Sequence, residues 1–284
     1  MLTRAELERD QPHAVACLRR AIARGRLPHA IVLASPGAVG EDELARMLAQ
    51  SLLCGQPTAP LEPCGTCRAC IAFERGVHAD FHEVRPKGLL RAIKTEDMLA
   101  LIQALQATSL GGGAKVAVIA QAETLRKESA NRFLKTLEEP TPETYFILIT
   151  TRPERLLPTI RSRCQLLRLQ PLTAEALATR VAALIGAGNA DVELICAVAR
   201  GRWNRAEQLV EQRDAYRATV RALLTLLSKR DDVCAAAVEF GRNCAAAFKS
   251  DRAVFEERMR DDMRTHAESW KDYEPSVRRE MLRA

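Results

Sequence analysis

The sequence predicts an α/β domain built on a parallel sheet, followed by an all-α region. Short apolar runs alternate with helical spacings as far as residue 171, and one of those runs passes through a glycine-bearing turn into a helix. Beyond that point no strand-like run competes with helical periodicity. Strands that alternate with helices favour a parallel sheet covered on both faces. The 284 residues suffice for two or three domains, and 47% hydrophobic residues can supply more than one core. Aromatic residues make up only 4%, while Ala, Leu and Arg are plentiful, which favours helices over a sandwich or barrel.

Residues 11–26 carry Val15, Leu18 and Ile22 at helical spacing until Gly25 and Pro28 break it. A first strand, Ala30–Ala34, runs through Ser35, Pro36, Gly37, Ala38, Val39 and Gly40 into a helix over 41–54 with Leu44, Met47, Leu48 and Leu52 on one face. Two more strands are expected at 115–120, after Gly111, Gly112 and Gly113, and at 145–150, after Pro140, Thr141 and Pro142. A helix over 127–139 lies between them. Another, over 98–107, opens at Lys94, Thr95, Glu96 and Asp97, where Thr95 serves as N-cap or, alternatively, free N–H groups and Lys94 meet a nucleic-acid phosphate.

After residue 171 helices are expected at Ala174–Ile185, Asp191–Ala199, 205–229 and 233–248. The stretch 249–284 is heavily charged with balanced signs, a solvated helix with Phe255, Met259 and Met263 as a thin apolar stripe. The domain division is then 1–170, 171–212 and 213–284. A net charge of +6 permits contact with nucleic acid without demanding it. No apolar run reaches the length of about 18 residues that a membrane span needs, and the N-terminus lacks the apolar core of a signal peptide. A cytoplasmic protein without a membrane partner is expected.

The loop after the first strand has the frame of a phosphate-binding loop without its chemistry. Such a loop wraps phosphates with backbone N–H groups, neutralises them with a Lys, and holds magnesium with the next Ser or Thr. Here Glu41 stands at the Lys position and Asp42 at the Ser or Thr position. Two carboxylates there suit the helix dipole and repel a triphosphate. The strand at 115–120 should end in an Asp for magnesium and a Glu for water activation, but it runs into Ala120 and Gln121. ATP binding is therefore expected to be weak or absent.

Four of the nine cysteines, Cys54, Cys64, Cys67 and Cys70, are separated by nine, two and two residues. Thiolates at this spacing can close a tetrahedral shell around one structural zinc. The alternative is four small buried residues, but Gly55, Pro57, Pro60, Pro63 and Gly65 predict a loop, where buried cysteine is unexpected. His78 and His82 follow as competing ligands and are read as loop residues. Cys17, Cys164, Cys196, Cys234 and Cys244 are read as core or incidental.

Residues 125–140, with Ala130-Asn131-Arg132-Phe133-Leu134-Lys135-Thr136-Leu137-Glu138-Glu139-Pro140, and residues 153–164, ending in Ser162-Arg163-Cys164, resemble segments of the bacterial clamp-loader subunits of the AAA+ class. With the loop and the cysteine cluster the resemblance covers about residues 28–170. It implies a RecA-like sheet domain with an inserted zinc module at 54–70, then a helical lid and a short helical C-terminal domain that forms part of a collar. Gamma and tau subunits keep the Lys, the Thr and the acidic pair. Departures at Glu41, Asp42, Ala120 and Gln121 resemble the delta prime type, a non-hydrolysing stator that works with gamma or tau, delta, the sliding clamp and primed DNA. The resemblance also implies that Arg163 is an arginine finger for ATP on a neighbouring subunit. From spacing alone, Arg163 is a cation at the C-terminus of a helix that begins near Arg155.

Two other functions compete. An active ATPase of the gamma or tau type needs the missing Lys and magnesium ligand. A free-standing zinc-containing nucleic-acid reader needs a basic stripe or stacking aromatics, and aromatics are scarce.

Overall fold

The computed structural model describes residues 3–86, 92–109, 113–186, 188–214, 217 and 242. The expected helices beyond residue 214, the glycines at 111 and 112, Cys234, Cys244 and the C-terminal domain at 213–284 lie outside this set, apart from a few residues. The chain divides into two compact units, and the one described here comprises residues 1–87 and 91–211.

Helices α1 (Arg4–Asp10) and α2 (Pro12–Ala23) open it. A capping box at Thr3 and Glu6 starts α1, and Pro12 suits the first position of α2 because its missing N–H has no helical partner to lose. Strand β1 (Ala30–Ala34) leads to α3 (Glu41–Leu53), then to α4 (Arg68–Glu74) and β2 (Phe81–Val84). Next come α5 (Thr95–Gln106), β3 (Lys115–Ile119), α6 (Lys127–Glu138), β4 (Thr144–Thr150), α7 (Pro158–Arg161) and β5 (Gln165–Arg168). Helices α8 (Ala174–Ile185), α9 (Asp191–Ala199) and α10 (Trp203–Glu211) complete the unit.

The five strands among the described residues are all parallel, in the order β2-β3-β4-β1-β5. Each central strand is buried on both faces, so apart from the strand-end residues Lys115, Thr144 and Thr150 its residues are mostly apolar rather than alternating with polar ones. Ile31, Leu33, Val116, Val118, Ile147 and Ile149 face a core shared with Leu44 and Leu48 of α3. The intervening Val32, Ala117, Ile119, Phe146 and Leu148 face Met98, Leu101 and Leu105 of α5 and Phe133 and Leu137 of α6. Phe133 meets Phe146 edge-on, with ring centroids 5.2 Å apart. This is the parallel α/β sheet with helical layers that the resemblance implied.

Several local expectations are corrected. The edge strands β2 and β5 escape a periodicity reading because they are four residues long and only partly buried. No helix begins at Arg155: Pro153–Arg155 is a single 3-10 turn and α7 starts at Pro158, because Pro holds the preceding Leu157 in an extended conformation. Thr95 is the first residue of α5 and Lys94 its N-cap, since the Thr95 hydroxyl accepts from Ser129 Oγ of α6 at 3.2 Å instead of capping. Helix α10 starts at Trp203, two residues before the expected position.

The chain leaves β1 for the far edge of the sheet, and the return through β3 and β4 puts β4 beside β1, with β5 on its other side. The loop after β1 thus lies at the carboxyl end of the sheet, where connections diverge, the usual place for a ligand crevice in open α/β sheets.

Candidate functional site

Strand β1 ends beside β4, and the Ser35 N–H donates to the Thr150 carbonyl at 2.9 Å. The loop then turns sharply. Ser35 Oγ accepts from Gly37 N–H at 2.9 Å, and Gly37, Ala38 and Gly40 all have positive φ, +112°, +53° and +105°. A Cβ at Gly37 would lie 2.7 Å from Asn204 Nδ2, on α10, so the Asn204 side chain packs closely over this glycine. Gly40 is the N-cap of α3 and offers no side-chain bond.

Glu41 supplies what the cap lacks. Its carboxylate turns back into the loop, accepting from Ala38 N–H at 2.7 Å through Oε1 and from Val39 N–H at 2.8 Å through Oε2. The residue is 7% exposed and Val39 is fully buried. Bonds from N–H to an ionised carboxylate contribute about 1.5–3 kcal/mol each, so this conformation is strongly preferred. Asp42 points away from the loop and pairs with Arg85 at 2.9 Å, next to Glu83. Past the end of β3, Ala120 is buried and Gln121 adopts a left-handed turn, so neither offers a carboxylate. Glu123 Oε1 accepts from the N–H and hydroxyl of Thr151 at 3.2 and 2.9 Å. The sequence reading expected Glu41 at the Lys position to repel phosphate and missed that its carboxylate fills the loop. The available signal was an acid directly after a glycine N-cap with two free N–H groups behind it.

The cysteine cluster assembles as its spacing required. The four Sγ atoms all lie within 4.8 Å of one another. Cys54 lies 3.5 Å from Cys64 and 4.0 Å from Cys67, and Cys64 lies 3.9 Å from Cys70. A zinc–sulfur bond of about 2.3 Å in a tetrahedron demands sulfur separations of about 3.8 Å, so the cluster is compatible with zinc. N–H groups of Cys64, Cys67 and Cys70 point at the sulfurs of Cys54, Cys64 and Cys67 at 3.3, 3.3 and 3.4 Å. Such donors favour thiolate: the Cys64 thiol is pulled down to about 6 by the N–H groups of Cys67 and Thr66, and the N–H of Cys70 lowers Cys67. Burial pushes Cys70 up to about 12.

The expectation of a loop without buried cysteine is wrong here. Cys54 and Cys70 are buried at 8% and 1% exposure, and Cys70 lies in α4. Cys67 caps that helix through its sulfur, and Phe73 anchors it by packing on Phe81 at 4.6 Å. The two histidines are not among the clustered ligands. His78 Nδ1 accepts from Asp80 N–H at 3.2 Å, and His82 lies in β2, where burial lowers its pKa.

Arg163 follows α7 and is exposed. It donates to Thr159 O at 3.0 Å, a carbonyl of the last turn of α7, and pairs with Glu138 at the end of α6. Cys164 beside it is partly buried, and burial pushes its thiol up to about 12. No sequence pattern announces Glu138 as its partner, which depends on α6 and α7 lying side by side.

A family profile described as DNA polymerase III, delta subunit matches residues 10–173, more than half of the chain. The chain belongs to this family. Among curated family relatives, the delta' subunit of DNA polymerase III from Bacillus subtilis (strain 168) is 39% identical over 176 residues, covering 62% of this chain and 52% of its own. The tau subunit of DNA polymerase III from Escherichia coli (strain K12) is 30% identical over 230 residues, covering 78% of this chain and 35% of its own. The chain spans about half the length of the delta' relatives it matches. Among solved structures, a gamma subunit-related protein from Thermotoga maritima aligns with a TM-score of 0.45 and 20% identity, covering 76% of this chain and 66% of its own. The family's matched region contains the loop, the cysteine cluster and Arg163. Among the described residues no helix is long and apolar enough to cross a membrane.

Proposed function

We propose that the chain is a delta prime type subunit of a DNA polymerase III clamp loader, one that does not hydrolyse ATP. It joins gamma or tau and delta subunits, and the assembly loads a sliding clamp onto primed DNA. The observation that carries this reading is the carboxylate of Glu41 lying where a phosphate loop would hold phosphate. Asp42, Ala120 and Gln121 support it, because no Lys, hydroxyl or acidic pair stands where ATP chemistry needs them. The same loss weighs against an active ATPase of the gamma or tau type.

In this reading Cys54, Cys64, Cys67 and Cys70 hold one zinc ion. Four thiolates leave no open position, so the metal fixes the chain between α3 and α4 and takes no part in a reaction. Arg163 serves as a finger in trans. Its exposure supports this, since the guanidinium can leave Glu138 for the phosphates of ATP on an adjacent subunit at little cost; exposed pairs contribute only about 0–1 kcal/mol. The domain division at 170 and 212 belongs to the same proposal.

Two measurements test it. The chain should co-purify with gamma or tau and delta subunits of the same organism, and calorimetric titration of the isolated chain with magnesium-ATP should show no tight binding. Magnesium-dependent ATP turnover above background, lost on Gly40 substitution, refutes the non-hydrolysing assignment.

A further inference from the structure

We propose that Glu41 is an internal latch: its carboxylate takes the place of a nucleotide phosphate and keeps the loop after β1 in a phosphate-bound shape with no nucleotide present. This deepens the non-hydrolysing reading above and rests on it. A missing Lys alone would leave an empty loop with unsatisfied N–H groups. Instead, the two successive donors at Ala38 and Val39 are each taken by a different oxygen of one carboxylate. Converging N–H groups of this kind form a concavity that selects an anion, and the tethered anion loses far less freedom on binding than a dissolved one.

The latch is closed from both sides. Glu41 is almost wholly buried, and the Ser35 hydroxyl pins the loop at Gly37. The Asn204 side chain of α10 packs over Gly37, 2.7 Å from where a Cβ would lie. Ala38 holds a left-handed conformation, at +53°, that costs a residue with a side chain about 1–2 kcal/mol. The carboxylate bonds offset that cost. Glu41 thereby holds the loop and its contact with α10 in one arrangement that owes nothing to ATP.

The test is amide hydrogen exchange, followed by NMR on the full chain with Glu41→Ala and Glu41→Gln. In the alanine variant the Ala38 and Val39 amides should exchange about tenfold faster or more, while those of β1 keep their protection. Inorganic phosphate at millimolar concentration should slow them again in this variant and leave the native protein unchanged. Glu41→Gln keeps the shape and drops the charge, so it should speed both amides severalfold, which covers a failure of the alanine variant to fold. Unchanged exchange in the variants overturns the latch. Faster exchange that phosphate does not slow overturns the phosphate-like shape. Neither readout needs ATP or another subunit, so a failure of the clamp-loader assignment registers separately, in co-purification.

Discussion

Removing zinc should destabilise this protein by an amount set by how well the cluster is formed in advance. Three of the six sulfur separations, 3.5, 3.9 and 4.0 Å, straddle the tetrahedral value and all six lie within 4.8 Å, so binding requires shifts of about 1 Å or less. A ligand that binds only the folded state stabilises it by about 4.1 kcal/mol when its free concentration is a thousand times its Kd. For a cooperative unit of roughly 150–250 residues each kcal/mol moves Tm by about 2–4 °C, so chelation should lower Tm by about 8–16 °C. The loss should concentrate in α4 and the packing of Phe73 on Phe81. Elemental analysis of the protein expressed with ample zinc should give one equivalent per chain, and Cys67→Ser with Cys70→Ser should abolish both the metal and the chelator effect. Less than half an equivalent, or a Tm indifferent to chelator, refutes the site.

Zinc affinity should also depend on pH with a defined sign. Binding needs four thiolates, and in the metal-free cluster Cys70 is held protonated to about 12 while Cys64 ionises near 6. Affinity should therefore rise across the neutral range and fall more steeply below pH about 6, where Cys64 adds its own proton; a flat profile in competition titrations contradicts this. Arg163→Ala should leave folding and assembly intact and weaken clamp-stimulated ATP hydrolysis and DNA loading by the reconstituted complex, where a finger contributes about 10³ to 10⁵ in rate at its own site. Other sites dilute the effect, and wild-type rates would return Arg163 to a helix-end role. Gly201→Ala should cost roughly 2–4 kcal/mol in urea unfolding, because Gly201 has φ +76° and its Cβ would lie 2.6 Å from Leu172 O. Lys115→Met should cost a similar amount, roughly 2–4 kcal/mol, since it removes three bonds that the buried ammonium donates, to Leu105 O at 2.5 Å, Ala107 O at 2.9 Å and Thr141 Oγ1 at 2.6 Å.

The central strands were legible because burial on both faces makes them continuous apolar runs, and α8 and α9 because their periodicity is regular. The cysteine cluster was legible as a ligand set because four sulfurs at short spacing admit few arrangements. The residue types at Glu41, Asp42, Ala120 and Gln121, on which the proposed loss of ATP chemistry rests, were equally plain. Tertiary structure decided the rest. The edge strands exist because β3 and β1 offer them hydrogen-bonding partners, which no local pattern announces. Arg163 meets Glu138 because α6 and α7 pack together across 25 residues of sequence. Glu41 could have pointed into solvent, as its charge and position suggest. It turns inward because the positive-φ turn at Gly37, Ala38 and Gly40 aims two N–H groups at one point, a direction that exists only once the loop is folded between β1, α3 and α10.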